Sequence, residues 1–227
     1  MITHILTDIE GTTTSVSFVY DVLFPYAREH MADFVAGNGD RPEVRAQLEA
    51  VAAEVGRPLS DGEAVDALLQ WIDEDRKATP LKALQGLIWQ AGYADGDYTG
   101  HIYADAFREL SRWRDQGLRL AVYSSGSVRA QQLLFGHSDF GDMTALFDAY
   151  FDTRVGQKRE VASYTAIAGQ LDVSPGRVLF LSDIEAELDA ARDAGMGTCW
   201  LVRGSEPDPL AAHTQVAGFD AIEPARF

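Results

Sequence analysis

The sequence predicts an α/β protein, a parallel sheet covered by helices on both faces, with a helical cap inserted after its first strand. Three observations carry this. From Leu118 onward, short apolar runs alternate with segments of helical spacing, the signature of β-α units feeding a parallel sheet. One further apolar run stands alone at residues 2–7. Between them the pattern is helical throughout. The expected division is therefore a core of residues 1–14 and 115–227 and a cap of residues 15–114.

Taken in order, Ile2-Thr3-His4-Ile5-Leu6-Thr7 reads as a buried strand, broken by Gly11 and three threonines in Asp8-Ile9-Glu10-Gly11-Thr12-Thr13-Thr14. Phe18, Val22, Met31, Phe34 and Val35 then fall near helical spacing, with Pro25 restarting or kinking that helix. Val44, Leu48, Val51 and Val55 line one face of the next. Ser60-Asp61-Gly62-Glu63 has capping-box spacing ahead of Leu68, Leu69 and Ile72. Pro80 stands at a first-turn position before Leu81, Leu84, Leu87 and Ile88, with Gly92 as the expected stop. Phe107, Leu110 and Trp113 mark one more helix, closed by Gly117. Residues 119–123 form a strand ending in Ser124-Ser125-Gly126-Ser127, followed by a helix through residues 131–134. Residues 147–151 lead through Asp152-Thr153-Arg154 to Gly156-Gln157-Lys158, and a helix spans residues 161–171. Residues 178–181 are a buried strand ending at Ser182-Asp183. The helix at residues 186–194 stops at Gly195, and residues 198–202 are the last clear strand.

Composition narrows the classes of function. Hydrophobic residues make up 46% of the 227, enough for a sizeable core. Nineteen basic against thirty-five acidic residues give a formal charge of -16, which repels nucleic-acid phosphates and anionic membranes. A site for an anionic substrate must then build its own positive potential. The single cysteine, Cys199, excludes a disulfide framework and reads as a small buried hydrophobe. His4, His30, His101, His137 and His213 lie far apart without zinc spacing. No charged segment with an apolar run opens the chain, and no run approaches eighteen apolar residues. The expectation is a soluble cytoplasmic protein with no membrane and no nucleic-acid partner.

Four strand ends carry polar groups: Asp8 with Glu10, Ser124 with Ser125, Lys158 nearby, and Asp183 with Glu187. Singly, each has a plain structural reading. Acids before glycine are turn residues, Ser124-Ser125-Gly126 suits an N-cap, Lys158 a solvated loop, and Asp183 a helix cap. Strand ends of a parallel sheet share one edge, however, so all four groups converge there. Alternation along a strand also puts Asp8 and Glu10 on one side. The set suits phosphoryl transfer. One carboxylate attacks phosphorus and a second protonates the leaving oxygen and later deprotonates water. A hydroxyl and helix-start amides hold phosphoryl oxygens. A lysine and a divalent cation such as Mg2+, which prefers oxygen ligands, offset the gathered negative charge.

These residues resemble the haloacid-dehalogenase-like superfamily of aspartyl-phosphate phosphatases. Asp8-Ile9-Glu10-Gly11-Thr12 is similar to its first motif, Asp-x-Asp-Gly-Thr; Ser124 matches the strand-end hydroxyl, Lys158 the lysine, and Ser182-Asp183 with Glu187 the acidic fourth motif. The resemblance implies a Rossmann-like core of that type. The departure is Glu10, where most members carry Asp. With that departure, the runs at residues 8–14, 123–127, 133–138 and 180–184, together with 77–89 in the cap, resemble the acireductone-forming enolase-phosphatases of methionine salvage. The resemblance covers nearly the whole chain. It implies enolisation of 2,3-diketo-5-methylthiopentyl 1-phosphate and then loss of phosphate to give 1,2-dihydroxy-3-keto-5-methylthiopentene, in a magnesium-dependent monomer. Carried onto this chain, Asp8 is nucleophile and metal ligand, and Glu10 metal ligand and acid/base. Ser124 and Ser125 bind phosphate, and Lys158 bridges phosphate and Asp8. Asp183 is a metal ligand, with Glu187 either a ligand or behind one.

The cap is expected to exclude water and recognise the methylthio tail. Phe18, Phe24 and Trp89 are its apolar candidates, although aromatics at helical spacing are more often core. Rival readings are a magnesium-dependent phosphatase for another sugar or keto phosphate, a phosphomutase, and a non-catalytic phosphate-binding protein. Asp8, Lys158 and Asp183 argue against the last, since a binder needs no nucleophile. A dehalogenase is weaker still, because Glu10 and Glu187 favour a cation site.

Overall fold

The computed structural model describes residues 1–204 and 206–227. Six strands form one sheet, all parallel, in the order β3-β2-β1-β4-β5-β6. They are β1 (His4–Thr7), β2 (Arg119–Tyr123), β3 (Ala149–Phe151), β4 (Val178–Ser182), β5 (Gly197–Leu201) and β6 (Thr214–Val216). Residues of β1, β2 and β4 are almost wholly buried, as near-continuous apolar runs in a doubly covered parallel sheet should be. Thr7 pairs with Val122 on one side and Leu181 on the other. The residues just beyond that rung therefore leave the sheet side by side. Strand order also reverses at β1, which makes its carboxyl end the switch point where α/β sheets open a crevice.

The chain divides into two compact units, Met1–Val16 with Thr99–Phe227, and Ser17–Tyr98. The first holds the sheet with α6 (Ala104–Asp115), α7 (Val128–Gly136), α8 (Val161–Gln170) and α9 (Glu185–Asp193). The sequence expectation drew its boundaries at 14/15 and 114/115; the units divide at 16/17 and 98/99, so α6 lies with the sheet. Its Trp113 is fully buried and stacks on Phe219 at 5.7 Å. A helix that covers a sheet and one that packs on other helices share the same apolar period, so spacing did not separate them.

The second unit is all helix. A short α1 (Val16–Phe18) enters it and runs through a π-helical stretch, Val19–Leu23, into α2 (Phe24–Asn38), whose first turn contains Pro25. Then follow α3 (Pro42–Val55), α4 (Asp61–Asp73) and α5 (Thr79–Asp95). The capping box forms: Ser60 Oγ accepts the Glu63 N–H at 3.3 Å, and Glu63 Oε2 accepts the Ser60 N–H at 2.8 Å. Met31, Val44, Leu48, Leu68, Leu84 and Ile88 join one apolar cluster. Gly92 does not stop its helix; α5 runs on to a left-handed cap at Gly96. Gly92 serves packing instead, since a Cβ there would lie 2.7 Å from the rings of both Tyr26 and Tyr98. The short, half-exposed β6 was not expected from the sequence, where residues 198–202 were the last clear strand. No helix among the described residues is long and apolar enough to cross a membrane.

Candidate active site

The carboxyl end of β1 delivers Asp8, whose N–H bonds Leu181 O at 2.9 Å across the sheet. The chain then turns on itself: the N–H groups of Thr12, Thr13 and Thr14 all reach Ile9 O, and Gly11 N–H reaches Thr14 O. Gly11 sits at φ 73°, and a Cβ there would lie 2.2 Å from Asp183 Oδ2. Only glycine permits both the left-handed turn and that approach. Glu10 lies in this turn, beyond the end of the strand. It is thus the turn, not strand alternation, that keeps it beside Asp8.

Lys158 occupies the centre. Its Nζ is 2.6 Å from Asp8 Oδ1 and 2.7 Å from Glu187 Oε2. The three side chains are 7%, 3% and 10% exposed, so these are buried ion pairs rather than solvent-screened ones. Burial alone would lower the lysine pKa, but Asp8 and Glu187 outweigh it and hold the ammonium charged above its ordinary range. Asp8 Oδ1 also accepts the Ile9 N–H at 2.7 Å. Ser182, the last residue of β4, lies 3.1 Å from Glu187 Oε2 and 3.4 Å from Asp8 Oδ2, and its Oγ accepts the Ile184 N–H.

Ser124 follows β2 and is fully buried. Its hydroxyl donates to Glu10 Oε2 at 3.3 Å and accepts the Gly126 N–H at 3.0 Å. Ser125 is exposed at the same loop, just before α7. Asp183 follows β4, and its Oδ1 is buried without a hydrogen-bond partner. Burial and the charge of Asp8 push its carboxyl up to about 6. Burial and Asp8 likewise raise Glu10 and Glu187. One ammonium therefore faces more carboxylate than it can neutralise, and burial together with the charge of Asp8 raises the pKa of the other three acids. Among the described residues no three His, Cys, Asp or Glu side chains are grouped so as to hold a metal ion.

Of the seven residues singled out in the sequence, five fall in two contact sets, Asp8, Lys158 and Glu187 in one and Glu10 with Ser124 in the other, while Asp183 and Ser125 follow β4 and β2 without joining either. Ser182 completes the first; its position at a strand end beside Asp183 was visible in the sequence, but its hydroxyl contacts were not. The aromatic candidates of the helical unit are largely structural. Phe18 is buried, Trp89 stacks on Phe24 at 6.2 Å, and its indole N–H donates to Leu23 O at 2.8 Å. Cys199 is a buried free thiol.

Comparison with known proteins fits this geometry. The haloacid dehalogenase-like hydrolase model matches residues 2–195. Enolase-phosphatase E1 of Methylococcus capsulatus is 58% identical, covering 99% of each chain. That of Thioalkalivibrio sulfidiphilus is 57% identical, covering 96% of this chain and 97% of its own. Among solved structures, the UTR4 protein of Saccharomyces cerevisiae superposes with a TM-score of 0.83 at 31% identity, covering 98% of this chain and all of that one. CbbY of Rhodobacter sphaeroides, solved in complex with phosphate, shares the fold at a TM-score of 0.62 and 20% identity, covering 97% and 96%. Matched from end to end at such identity, the chain belongs to the haloacid dehalogenase-like hydrolases and, within them, to the enolase-phosphatase E1 family.

Proposed function

We propose that the protein enolises 2,3-diketo-5-methylthiopentyl 1-phosphate and then hydrolyses its phosphate, releasing the acireductone 1,2-dihydroxy-3-keto-5-methylthiopentene in methionine salvage. The observation that carries the phosphatase half is Lys158 Nζ seated 2.6 Å from Asp8 at the switch point of the sheet. Asp8 Oδ1 is engaged by Lys158 and the Ile9 N–H. Oδ2, with only the longer Ser182 contact, is the oxygen left to attack phosphorus and form an aspartyl-phosphate. Glu10, hydrogen-bonded to Ser124, gives a proton to the leaving oxygen and then takes one from the attacking water, and the rise of its pKa through burial and Asp8 favours that acid/base role. Ser124, Ser125 and the amides at the start of α7 receive phosphoryl oxygens. Lys158 offsets their charge.

The donor set fits magnesium. Asp183 Oδ1 is a buried carboxylate oxygen lacking a partner, and the surplus of carboxylate over ammonium calls for a cation. Magnesium keeps several waters and needs only one or two carboxylates, so an enclosing cage of ligands is not required. Asp8 and Asp183 would hold it, leaving Glu10 to the acid/base role. The bonds of Glu187 to Lys158 and Ser182 support a place behind the ligands rather than among them. When bound, the ion supplies positive charge beside the phosphoryl group and polarises the neighbouring diketone. The helical unit serves as the cap of this reading, acting in a cytoplasmic monomer.

The test is anaerobic turnover of the diketo phosphate with and without magnesium, following free phosphate and acireductone absorbance in one sample. Magnesium-dependent appearance of both is expected. Phosphate without the acireductone signal would remove the enolase half. Folded protein that releases no phosphate would remove both.

A further inference from the structure

Three consecutive carbonyls in the loop bearing Lys158 each accept a hydroxyl from a different side chain. Tyr123 OH, from β2, donates to Gly156 O at 2.9 Å; Ser163 Oγ, from α8, donates to Gln157 O at 2.7 Å; Tyr164 OH donates to Lys158 O at 2.6 Å. All three donors are buried. The two tyrosine rings meet edge-on at 5.6 Å, and Tyr164 meets Phe180 of β4 at 5.0 Å. Ring packing thus aims the two tyrosine hydroxyls at the loop. Contact is close enough that a Cβ on Gly156 would lie 2.2 Å from Ser163 Oγ. Residues 156–158 belong to no helix or strand, so regular backbone pairing does not hold them.

Packing alone would be satisfied by phenylalanine at the two tyrosine positions, and neither ring needs a hydroxyl to fill its place. A lysine side chain is long and flexible, and where its ammonium arrives depends on where its backbone is held. Lys158 must meet Asp8 and Glu187 together, at 2.6 and 2.7 Å. We propose that Tyr123, Ser163 and Tyr164 are positioning residues for Lys158, a hydroxyl clamp that fixes the backbone of residues 156–158 so that Nζ reaches both carboxylates. The catalytic consequence of the clamp rests on the phosphatase reading above; the ordering of the loop does not.

The experiment uses Tyr164→Phe and Ser163→Ala in the full chain. Amide hydrogen exchange is measured across residues 155–160, with β1 and β4 as internal reference, alongside phosphate release from the diketo phosphate in magnesium. Exchange in the loop should rise about tenfold while the strands keep their protection, because only local opening is made easier. The kcat should fall roughly tenfold or more, as displacement of a charged group by about 1 Å can cost 100-fold, with KM changed by less than about twofold. Unchanged loop exchange in a folded variant would overturn the clamp, and so would faster exchange accompanied by undiminished kcat. If Tyr164→Phe does not fold, Ser163→Ala decides by the same criteria. Should the unsubstituted protein release no phosphate, the phosphatase reading falls, and the exchange result still decides whether the clamp orders the loop.

Discussion

Lys158 faces Asp8 and Glu187 at once, and its removal leaves two buried carboxylates without their counter-charge. Lys158→Met should therefore cost stability as well as turnover, about 3 kcal/mol by chemical denaturation, the usual penalty for breaking a buried pair from one side. Phosphate release should fall at least about tenfold; a change under about threefold would put its placement beside the phosphoryl group in doubt. Asp8→Asn behaves differently. The amide keeps the shape of the carboxylate and an oxygen that can accept the Ile9 N–H, so the fold should survive, while the nucleophile of the proposed covalent step is lost. Circular dichroism should look unchanged and phosphate release should vanish. Retained turnover in folded Asp8→Asn protein would end the covalent mechanism.

At the scale of elements, local rules held wherever the reason was local, and α4 is the plain case. Its capping box forms as Ser60-Asp61-Gly62-Glu63 predicts, and Ser60→Ala should cost about 1 kcal/mol in a thermal melt. Helix α5 is the opposite case. On propensity alone Gly92→Ala should stabilise a helix interior by about 1 kcal/mol. The Tyr26 and Tyr98 rings occupy the space a methyl would need, so the variant should instead lose roughly 1–3 kcal/mol. A rise in melting temperature would show that the rings move aside without penalty.

Across the sheet-bearing unit, carboxylates tie distant segments together. Asp105 on α6 pairs with Arg203, whose Nε donates to Thr12 O, and accepts the N–H of Phe219. Burial pushes the Asp105 carboxyl up, but Arg203 and the backbone donors outweigh it and hold the pKa below its ordinary value. Asp148, opposed by burial but paired with Arg114 and Arg119, is lowered in the same way. A folded pKa below the unfolded one means that the unfolded chain binds more protons. The stability these groups add is full above about pH 4 and is lost as pH falls through their folded values. Melting temperature should therefore drop as pH falls below about 4, and Asp105→Asn, already weakened at neutral pH, should show a shallower drop. An equally steep drop in that variant would remove Asp105 from the account.

By itself the sequence determined the alternation of strand and helix and the residues at the strand ends. Those are local matters: apolar period, and glycine, serine and threonine placed where a run must break. Asp8, Ser124, Lys158 and Asp183 were legible for that reason, and family resemblance then gave them roles. Tertiary structure decided the rest. It put α6 with the sheet, continued α5 past Gly92, added β6, joined Glu187 to Lys158, and aimed three hydroxyls at the loop beneath that lysine. Periodicity says which face of an element is buried but not against what, and partners far apart in sequence are set by strand order and register, which no local stretch of residues encodes.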